Sequence, residues 1–426
     1  MSIYRIMTIN VIVFSVLPVL AATKNSCEFS GGPLFVGEDT DFVLCGNELP
    51  GEIEITSSDP KIAQAIYMQP LRRCNVNDKR QGFHVVLNAH QSGETYLQVT
   101  DATTEADVCR AEVTALHERD KDEPSWLNSM PLSEARYVDV NGIRTRYFDN
   151  GSGPALVLVH GGQAGGANNS AQKWEQNFTD LARTFRVIAL DRLAQAGTDN
   201  LSNTEDYADY FSLDAQHLED FILALGLQDV SLVGHSQGGW PVTWVALKRP
   251  DLVTCVVNID SVMVPDNLEL MREALSFIIY TASFVDPPSG PTVHSARRAM
   301  AMRYPTGKNI TTEKSQRVVN QYQMPKTVEA SKYMSALRMT PQHPTFKQLR
   351  DQAYTEIAAG KFKARSLVVW GELDPQVPLG LGQEFNQLLL DANVDTRLAV
   401  IDGAGHAPFV EFPDEFNDLV VSYCAE

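Results

Sequence analysis

The sequence has no run of lysine or arginine residues, no tract of low complexity and no repeat of fixed period. Lysine and arginine total 35 against 53 aspartates and glutamates, which gives a formal net charge of -18. A strongly acidic surface repels nucleic acid and anionic lipid, so we expect neither as a partner. The absence of repeats and biased tracts excludes solenoids and disordered scaffolds and favours a globular protein.

The apolar run near the start of the chain is shorter than the ~20 residues that a membrane span requires. It extends from about residue 9 to residue 20, follows Arg5, contains Pro18 and ends before two alanines. This layout is typical of a secretory signal peptide, which we predict over residues 1–22, rather than of a membrane anchor. We therefore expect an exported protein, periplasmic or extracellular, with no stable membrane insertion after signal cleavage.

The cysteine count is even, and six cysteines in an exported chain can all be oxidised. Four of them fall within the first 109 residues, where three pairings are open. The pairing that we predict is Cys27 with Cys45 and Cys74 with Cys109. Cys255 and Cys424 form either a third bridge or two separate buried thiols.

A length of 426 residues favours two domains. Residues 27–116 contain short strand-like segments between clusters of Gly, Pro, Asn and Asp, which predicts a small all-β, immunoglobulin-like sandwich. This region holds no catalytic-looking cluster, so we expect a structural module or one that binds a surface, a polymer or the catalytic domain. The charged segment 117–133 is the predicted linker.

Residues 134–426 show a different pattern, in which apolar runs alternate with helix-length segments. Continuous apolar runs are strands buried on both faces, so they predict an α/β domain with a mostly parallel eight-stranded sheet wrapped by helices. Function is then expected at the carboxyl ends of the strands. Residues 264–344 interrupt the pattern and predict a helical lid, whose aromatic and methionine residues favour a largely apolar substrate.

The strongest local signal is the segment GHSQGG, which lies directly after the strand-like VSLVG and before a helix-like run. Gly234 and Gly238 allow a sharp turn from strand to helix, which raises the Ser236 hydroxyl above the sheet. We interpret Ser236 as a nucleophile because strand, motif and helix coincide there.

A serine hydroxyl needs a base, and that base needs a carboxylate to orient it. His406 follows the last strand-like run and is the predicted base. Asp374 follows the preceding one and is the predicted acid, with Glu372 and Asp260 as its rivals. The order Ser236, Asp374, His406 is that of the α/β-hydrolases.

The oxyanion of acyl transfer needs two N–H donors. The HGG segment after the strand-like ALVLV predicts the Gly162 amide as one donor, and Gln237 is the predicted second. The loop lacks the P-loop lysine and the dinucleotide fingerprint, so no nucleotide is implied. We expect neither a metal nor an organic cofactor.

With these motifs in place, residues 134–426 resemble a lid-bearing α/β-hydrolase of the branch that holds esterases and meta-cleavage-product C–C bond hydrolases. The segments that begin at Asp191, DRLAQAGTDN, and at Trp370, WGELDPQVP, are most similar to the C–C hydrolases. His235 and Ala407 stand where those enzymes usually carry Asn and Trp. Ser236 implies neither dehalogenase nor epoxide hydrolase chemistry, which this superfamily runs with Asp.

The sequence therefore predicts a serine hydrolase that cleaves a small-molecule carboxylic ester or lactone through an acyl-enzyme intermediate. One alternative is a C–C bond hydrolase of the meta-cleavage-product type. Another, from a different class, is a non-catalytic protein that binds a ligand or a surface on a hydrolase fold.

Overall fold

The computed structural model describes residues 27–31, 34–35, 39–46, 49–71, 81–90, 93–116, 129–131, 133–166, 169–263, 267, 269–270, 272, 277, 291–337 and 343–425. The predicted signal peptide, most of the linker and Cys74 lie outside these residues, so those expectations stay predictions. Within the described ranges, no helix is both long and apolar enough to cross a membrane.

The first part of the chain is all β. Its strands are β1 (Cys27–Gly31), β2 (Leu34–Phe35), β3 (Asp39–Gly46), β4 (Ile53–Ser57), β5 (Gln64–Leu71), β6 (Gln81–Asn88), β7 (Gly93–Asp101) and β8 (Asp107–Leu116). One sheet has the order β1-β3-β6-β5 and the other the order β2-β8-β7-β4. Leu44 and Val85 of the first sheet share a fully buried core with Leu97 and Val99 of the second. The predicted all-β region is thus present.

The second part of the chain forms the large sheet. Its strands are β9 (Ser129–Met130), β10 (Ser133–Glu134), β11 (Arg136–Val140), β12 (Ile143–Asn150), β13 (Ala155–Val159), β14 (Arg186–Leu190), β15 (Val230–His235), β16 (Val253–Ile259), β17 (Arg365–Gly371) and β18 (Thr396–Ile401). The pair β9–β10 stands apart, and the others follow the order β11-β12-β14-β13-β15-β16-β17-β18. Only the β11–β12 and β12–β14 pairings are antiparallel in this order. The predicted mostly parallel eight-stranded sheet is confirmed.

Helices cover both faces of this sheet. They are α1 (Phe178–Leu181), α2 (Tyr210–Ala224), α3 (Gly239–Lys248), α4 (Val293–Arg303), α5 (Thr312–Gln323), α6 (Pro325–Ala336), α7 (Pro344–Ala358), α8 (Leu379–Asp391), α9 (Pro408–Glu411) and α10 (Pro413–Cys424). Phe211, Val242 and Phe385 pack on one face with α2, α3 and α8. Phe178 and Phe416 pack on the other face with α1 and α10. Helices on both faces explain why the central strands are apolar on both sides.

Among the described residues between β16 and β17, the helices α4, α5 and α6 belong to the predicted lid. Helix α4 begins at a capping box, in which the Thr292 hydroxyl accepts from Ser295 N–H and the Ser295 hydroxyl accepts from Thr292 N–H. The Thr311 hydroxyl caps α5 by accepting from Lys314 N–H at 3.1 Å. These caps fix the start of the helices that face the carboxyl ends of the strands.

The all-β part contacts the large sheet directly. Strand β3 pairs with β11 through Thr40 and Tyr137. Arg186, at the start of β14, donates to the Gln69 side chain of β5 at 3.2 Å. A Cβ atom on Gly226 would lie 1.7 Å from the Leu71 side chain, so glycine is required for this close approach. The two parts of the chain are therefore packed against each other.

The disulfides agree in part with the sequence prediction. Cys255 of β16 is bonded to Cys424 of α10, which decides between the two alternatives for that pair. Cys45 and Cys109 are each disulfide-bonded, and the described part of the chain has no free cysteine. The predicted pairing of the first four cysteines stays a prediction.

Candidate active site

The Ser236 side chain stands on a tight bend between β15 and α3. Its backbone has φ +51°, a left-handed conformation that non-glycine residues adopt only under constraint. A Cβ atom on Gly234 would lie 2.5 Å from the Gly238 carbonyl oxygen. A Cβ atom on Gly238 would lie 2.5 Å from the carbonyl oxygens of Val159 and His160. The glycines predicted to permit the turn are thus needed for close backbone approach.

Ser236, His406 and Asp374 lie in hydrogen-bonding order. His406 Nε2 is 3.1 Å from Ser236 Oγ, and His406 Nδ1 is 2.8 Å from Asp374 Oδ2. The other Asp374 oxygen accepts from the N–H groups of Gln376 at 2.7 Å and Val377 at 3.1 Å. Because these amides hold the carboxylate, its free oxygen faces the imidazole, and the three predicted residues form a proton relay.

The network assigns a tautomer to His406. With an ionised Asp374, Nδ1–H donates to the carboxylate, which leaves Nε2 as the acceptor for the Ser236 hydroxyl. In this state the imidazole can take the serine proton. The rival Glu372 is exposed and accepts from Gly403 N–H at 2.8 Å, so it is not part of the relay.

The predicted oxyanion loop follows β13. Gly162 has φ +78°, and a Cβ atom there would lie 2.1 Å from the Asn169 side chain, so the position requires glycine. Arg192 Nη1 donates to the carbonyl oxygens of Gly162 at 2.6 Å and His160 at 3.2 Å. The Arg192 guanidinium also forms a buried, two-point ion pair with Asp214. Arginine thus fixes the loop that carries the predicted donor.

His160 lies at the start of the same loop and is fully buried. Its Nδ1 lies 2.8 Å from the Gly161 carbonyl oxygen, and its Nε2 accepts from Arg192 N–H at 3.1 Å. The proton is therefore on Nδ1. Burial, followed by the Arg192 charge, lowers the pKa of His160 well below its usual value. The neutral His160 ring therefore holds the loop in place through these two hydrogen bonds.

His235 connects the bend that carries Ser236 to the loop that carries His406. Its Nε2 lies 2.7 Å from the His406 carbonyl oxygen, so Nε2–H donates and Nδ1 is unprotonated. Burial, followed by the charges of Lys173 and His406, lowers the pKa of His235 well below its usual value. A neutral His235 therefore holds the backbone carbonyl group of His406.

A cavity of about 420 Å³ opens above Ser236, within the size range of small-molecule sites. Its wall contains both predicted oxyanion residues, Gly162 and Gln237, together with His406. Mostly apolar side chains from the predicted lid also line the cavity: Ala296, Ala299, Met300, Tyr304, Val318 and Tyr322. The lid thus covers the carboxyl ends of the strands.

Two cations also line this cavity, Lys173 and Arg303. Burial, followed by the Arg303 charge, lowers the pKa of Lys173 to about 8. The nearby carboxylate Glu175 pairs with Lys314 and Arg317 instead, and no described carboxylate forms an ion pair with Lys173. Arg303 donates to the Gln376 side chain and to the Ala299 carbonyl oxygen, both uncharged acceptors. The cavity wall therefore carries positive charge that the described carboxylates leave uncompensated.

The donor atoms of His235, Asp260 and His406 lie within 4.8 Å of one another. Both ring nitrogens of His406 already face Ser236 and Asp374, and His235 Nε2 faces a carbonyl oxygen. These atoms are arranged for proton transfer rather than for joint coordination of a cation. The group therefore does not assign a metal site.

Sequence reasoning missed the roles of Arg192 and Lys173. Arg192 directly follows Asp191. The buried Asp191 carboxylate accepts hydrogen bonds from Arg146 Nε at 2.6 Å and from Ala171 N–H at 2.7 Å. The DRLAQAGTDN segment therefore holds the loop and the short helical turn Ala171–Trp174 around the cavity. The sequence signal for these roles was the pair Asp191 and Arg192 directly after a buried strand. Charged side chains at such a position are rarely buried unless they have a partner.

The chain belongs to the family described as alpha/beta hydrolase fold, because the sequence model of that family matches residues 154–413. The 2-hydroxy-6-oxo-6-(2'-aminophenyl)hexa-2,4-dienoic acid hydrolase of Metapseudomonas resinovorans is 27% identical over 298 residues, which cover 68% of this chain and 90% of that protein. The 2-hydroxymuconate semialdehyde hydrolase of a Pseudomonas strain is 24% identical over 291 residues, 68% of this chain and 94% of that protein.

Solved structures share the fold. The 2-hydroxy-6-oxo-6-phenylhexa-2,4-dienoate hydrolase of a Rhodococcus strain has a TM-score of 0.56 at 17% identity and covers 68% of this chain and 98% of that one. A membrane phospholipase A, described as a bacterial virulence factor, has a TM-score of 0.53 at 20% identity and covers 70% of this chain and 86% of that one. The resemblance to this superfamily and to its meta-cleavage-product branch is confirmed.

Proposed function

We propose that this chain is a serine hydrolase that cleaves a carboxylic ester or lactone through an acyl-enzyme intermediate. The observation that carries the proposal is the relay at the floor of the cavity, with 3.1 Å between His406 Nε2 and Ser236 Oγ and 2.8 Å between His406 Nδ1 and Asp374 Oδ2. Both distances are those of hydrogen bonds through which a proton moves.

The proposed reaction has two steps. Ser236 Oγ attacks the carbonyl carbon while its proton passes to His406 Nε2, and the Gly162 and Gln237 amides stabilise the oxyanion. His406 then gives the proton to the leaving alcohol as the carbon–oxygen bond breaks. In the second step His406 removes a proton from water, the hydroxide attacks the acyl group, and Ser236 regains its proton.

The substrate that we propose carries an anionic group as well as an apolar part. Lys173 and Arg303 line the cavity beside Ser236, and no described carboxylate compensates the charge of Lys173. A substrate carboxylate would compensate it. The largely apolar character predicted for the rest of the substrate stays a prediction. The lid residues that line the same cavity, Met300 and Tyr322 among them, suit the apolar part.

C–C bond hydrolysis is the second candidate, because the two curated relatives described above carry names of hydrolases for a dienoic acid and a muconate semialdehyde. A dienoic acid also presents a carboxylate to the cation pair. Ester and C–C cleavage share the nucleophile, the base and the oxyanion donors, so the relay supports both.

Two assays separate the candidates. The purified protein is given p-nitrophenyl esters, one neutral and one with a terminal carboxylate, and separately a vinylogous 1,5-diketone acid. Rapid release of p-nitrophenol with negligible cleavage of the diketone is the expected result. Rapid cleavage of the diketone with negligible ester turnover would replace our proposal by the C–C alternative.

The non-catalytic alternative has its own test. A fluorophosphonate probe labels an activated serine and should label the wild-type chain but not Ser236→Ala. Ser202→Ala, which alters a serine on the surface of the described structure, is the matched control and should label like wild type. Equal labelling of wild type and Ser236→Ala would favour a binding protein on a hydrolase fold.

We also propose that the mature protein is exported and that its all-β part is immunoglobulin-like. A disulfide between Cys255 and Cys424 is typical of an oxidising compartment. The strand orders β1-β3-β6-β5 and β8-β7-β4 correspond to the two sheets of an immunoglobulin sandwich in chain order. N-terminal sequencing of the protein from culture supernatant or periplasm tests export, with a mature start near residue 23 expected.

A further inference from the structure

Asp260 is a second carboxyl group beside the base. It directly follows β16, is completely buried, and one of its oxygens lies within 4.8 Å of a ring nitrogen of His406. Its Oδ1 accepts from Gly371 N–H at 2.9 Å. Its Oδ2 is buried with no hydrogen-bond partner in the described part of the chain.

Two features of Asp260 lower the stability of the fold, which suggests that they are retained for a function. A buried, unpartnered carboxyl oxygen loses the hydrogen bonds that water would supply. The backbone of Asp260 also has φ +42°, in the left-handed region. The Gly371 contact alone does not require a carboxyl group, because a serine or an asparagine can accept from an N–H group.

We propose that Asp260 is a positioning residue for the reaction proposed above: a reserve carboxyl partner of His406 that stabilises the imidazolium in place of Asp374 when the Asp374 charge is removed. This inference rests on Ser236 being an activated nucleophile.

The charges around Asp260 fit a reserve role. Burial, followed by the negative charges of Asp374 and then Glu411, raises the pKa of Asp260 well above its usual value, against the opposing Gly371 hydrogen bond. The facing His235 is neutral. Burial and the Asp374 charge therefore favour the protonated form of Asp260 in the resting site. Removal of the Asp374 charge takes away a repulsion and favours ionisation of Asp260.

The test uses the rate of fluorophosphonate labelling of Ser236 in the full-length protein, which requires the serine and its base but no knowledge of the substrate. The variants are Asp374→Asn, Asp260→Asn and the double variant. Asparagine keeps the shape and the acceptor for Gly371 N–H. If Asp260→Asn does not fold, Asp260→Gly replaces it, since glycine adopts φ +42° without strain.

We expect Asp260→Asn to slow labelling by less than about 10-fold and Asp374→Asn by about 10²-fold, less than the ~10⁴-fold typical of a triad whose only acid is neutralised. The double variant should be slower than Asp374→Asn by a further factor of about 10², since residues that act as a unit are not additive. Equal labelling rates of Asp374→Asn and the double variant would overturn the proposal.

A pH profile excludes a merely structural effect. A carboxylate at position 260 favours the protonated imidazole, so the acidic limb of the labelling rate should lie at higher pH in Asp374→Asn than in the double variant. Coincident limbs would contradict the proposal.

Asp220→Asn is the matched control. The partly buried Asp220 carboxyl group accepts only from Asn141 and Gln216 among the described side chains, so this variant should label like wild type. A wild-type chain that fails to label would instead refute the proposed function.

Discussion

The Nη1 atom of Arg192 lies 2.6 Å from the carbonyl oxygen of Gly162, although 30 residues separate the two in the chain. This contact fixes the Gly162 carbonyl group, which belongs to the loop that carries the predicted oxyanion donor. The same guanidinium is neutralised by Asp214, so the loop is braced by a cation whose charge is largely compensated.

Arg192→Lys should reduce kcat on the best ester by about 10–100-fold, since removal of one oxyanion donor costs about 10²–10³-fold and a displaced loop costs somewhat less. Lysine keeps a charge for Asp214 but loses the fork that reaches two carbonyl oxygens. Steady-state kinetics test this, with thermal unfolding as the check on folding. The exposed Arg183→Lys is the control, and an unchanged kcat in Arg192→Lys would show that the brace is dispensable.

Gly161→Ala should impair the reaction through a steric clash. The added Cβ would lie 2.8 Å from His235 Nδ1 and 2.9 Å from Ser236 Cβ, closer than such atoms approach. Displacement of the nucleophile by up to about 1 Å should reduce kcat by up to about 10²-fold. Gly51→Ala, where no atom lies within 4 Å, serves as the comparison in the same kinetic assay. Full activity of Gly161→Ala would mean that the loop moves freely.

The affinity for an anionic substrate should depend on pH through Lys173. Its pKa of about 8 means that the ammonium is charged at lower pH and becomes neutral as the pH rises through that value. The KM of a carboxylate-bearing ester should therefore rise by up to about 10-fold between pH 7 and pH 9, while that of a matched neutral ester stays level.

Lys173→Met should remove this difference between the two esters, and the exposed Lys332→Met should preserve it. If the KM of the anionic ester were independent of pH in the wild-type protein, Lys173 and Arg303 would not be the binding site for the substrate carboxylate. The measurement is a pair of KM profiles in buffers of constant ionic strength, because salt screens charge interactions.

Acid should destabilise the fold through His217. Burial lowers the pKa of this histidine to about 4, and its Nε2 lies 3.0 Å from the Thr145 hydroxyl. The unfolded chain takes up the proton near pH 6.5 and the folded chain only near pH 4, so stability is complete above about pH 6.5 and falls toward pH 4. The loss is on the order of 3 kcal/mol for a shift of this size.

His217→Gln keeps a polar partner for Thr145 and should show a smaller fall in the urea midpoint between pH 7 and pH 5 than wild type does. The exposed His294→Gln should behave as wild type. If both variants lose stability in parallel with wild type, the acid sensitivity arises from other groups.

The sequence predicted the large sheet and the relay because both have local signatures. Apolar runs identify strands buried on both faces, and the bend at Ser236 has a fixed pattern of small residues. Strand β5 has a weaker local signature, because Pro70 interrupts its pattern. This strand lies at the edge of its sheet, where proline is tolerated.

The parts of the site that sequence reasoning missed depend on contacts between distant segments. In the sequence, Lys173 cannot be distinguished from a surface lysine. In the structure Arg303 lies near it, and the nearby carboxylate of Glu175 pairs with Lys314 and Arg317. Asp260 was considered only as a rival acid, because its unpartnered oxygen is visible only once β16 and β17 are adjacent. Charge compensation of this kind is set by tertiary packing.

The bond between Cys255 and Cys424 closes a covalent ring of chain with a sequence separation of 169 residues. This ring includes the lid helices, Asp374 and His406, while Ser236 lies outside it. A protease that nicks the peptide backbone anywhere within the ring therefore releases no fragment until a reductant opens the cystine. After a cut in the lid, Ser236, Asp374 and His406 would therefore remain in one covalently linked molecule.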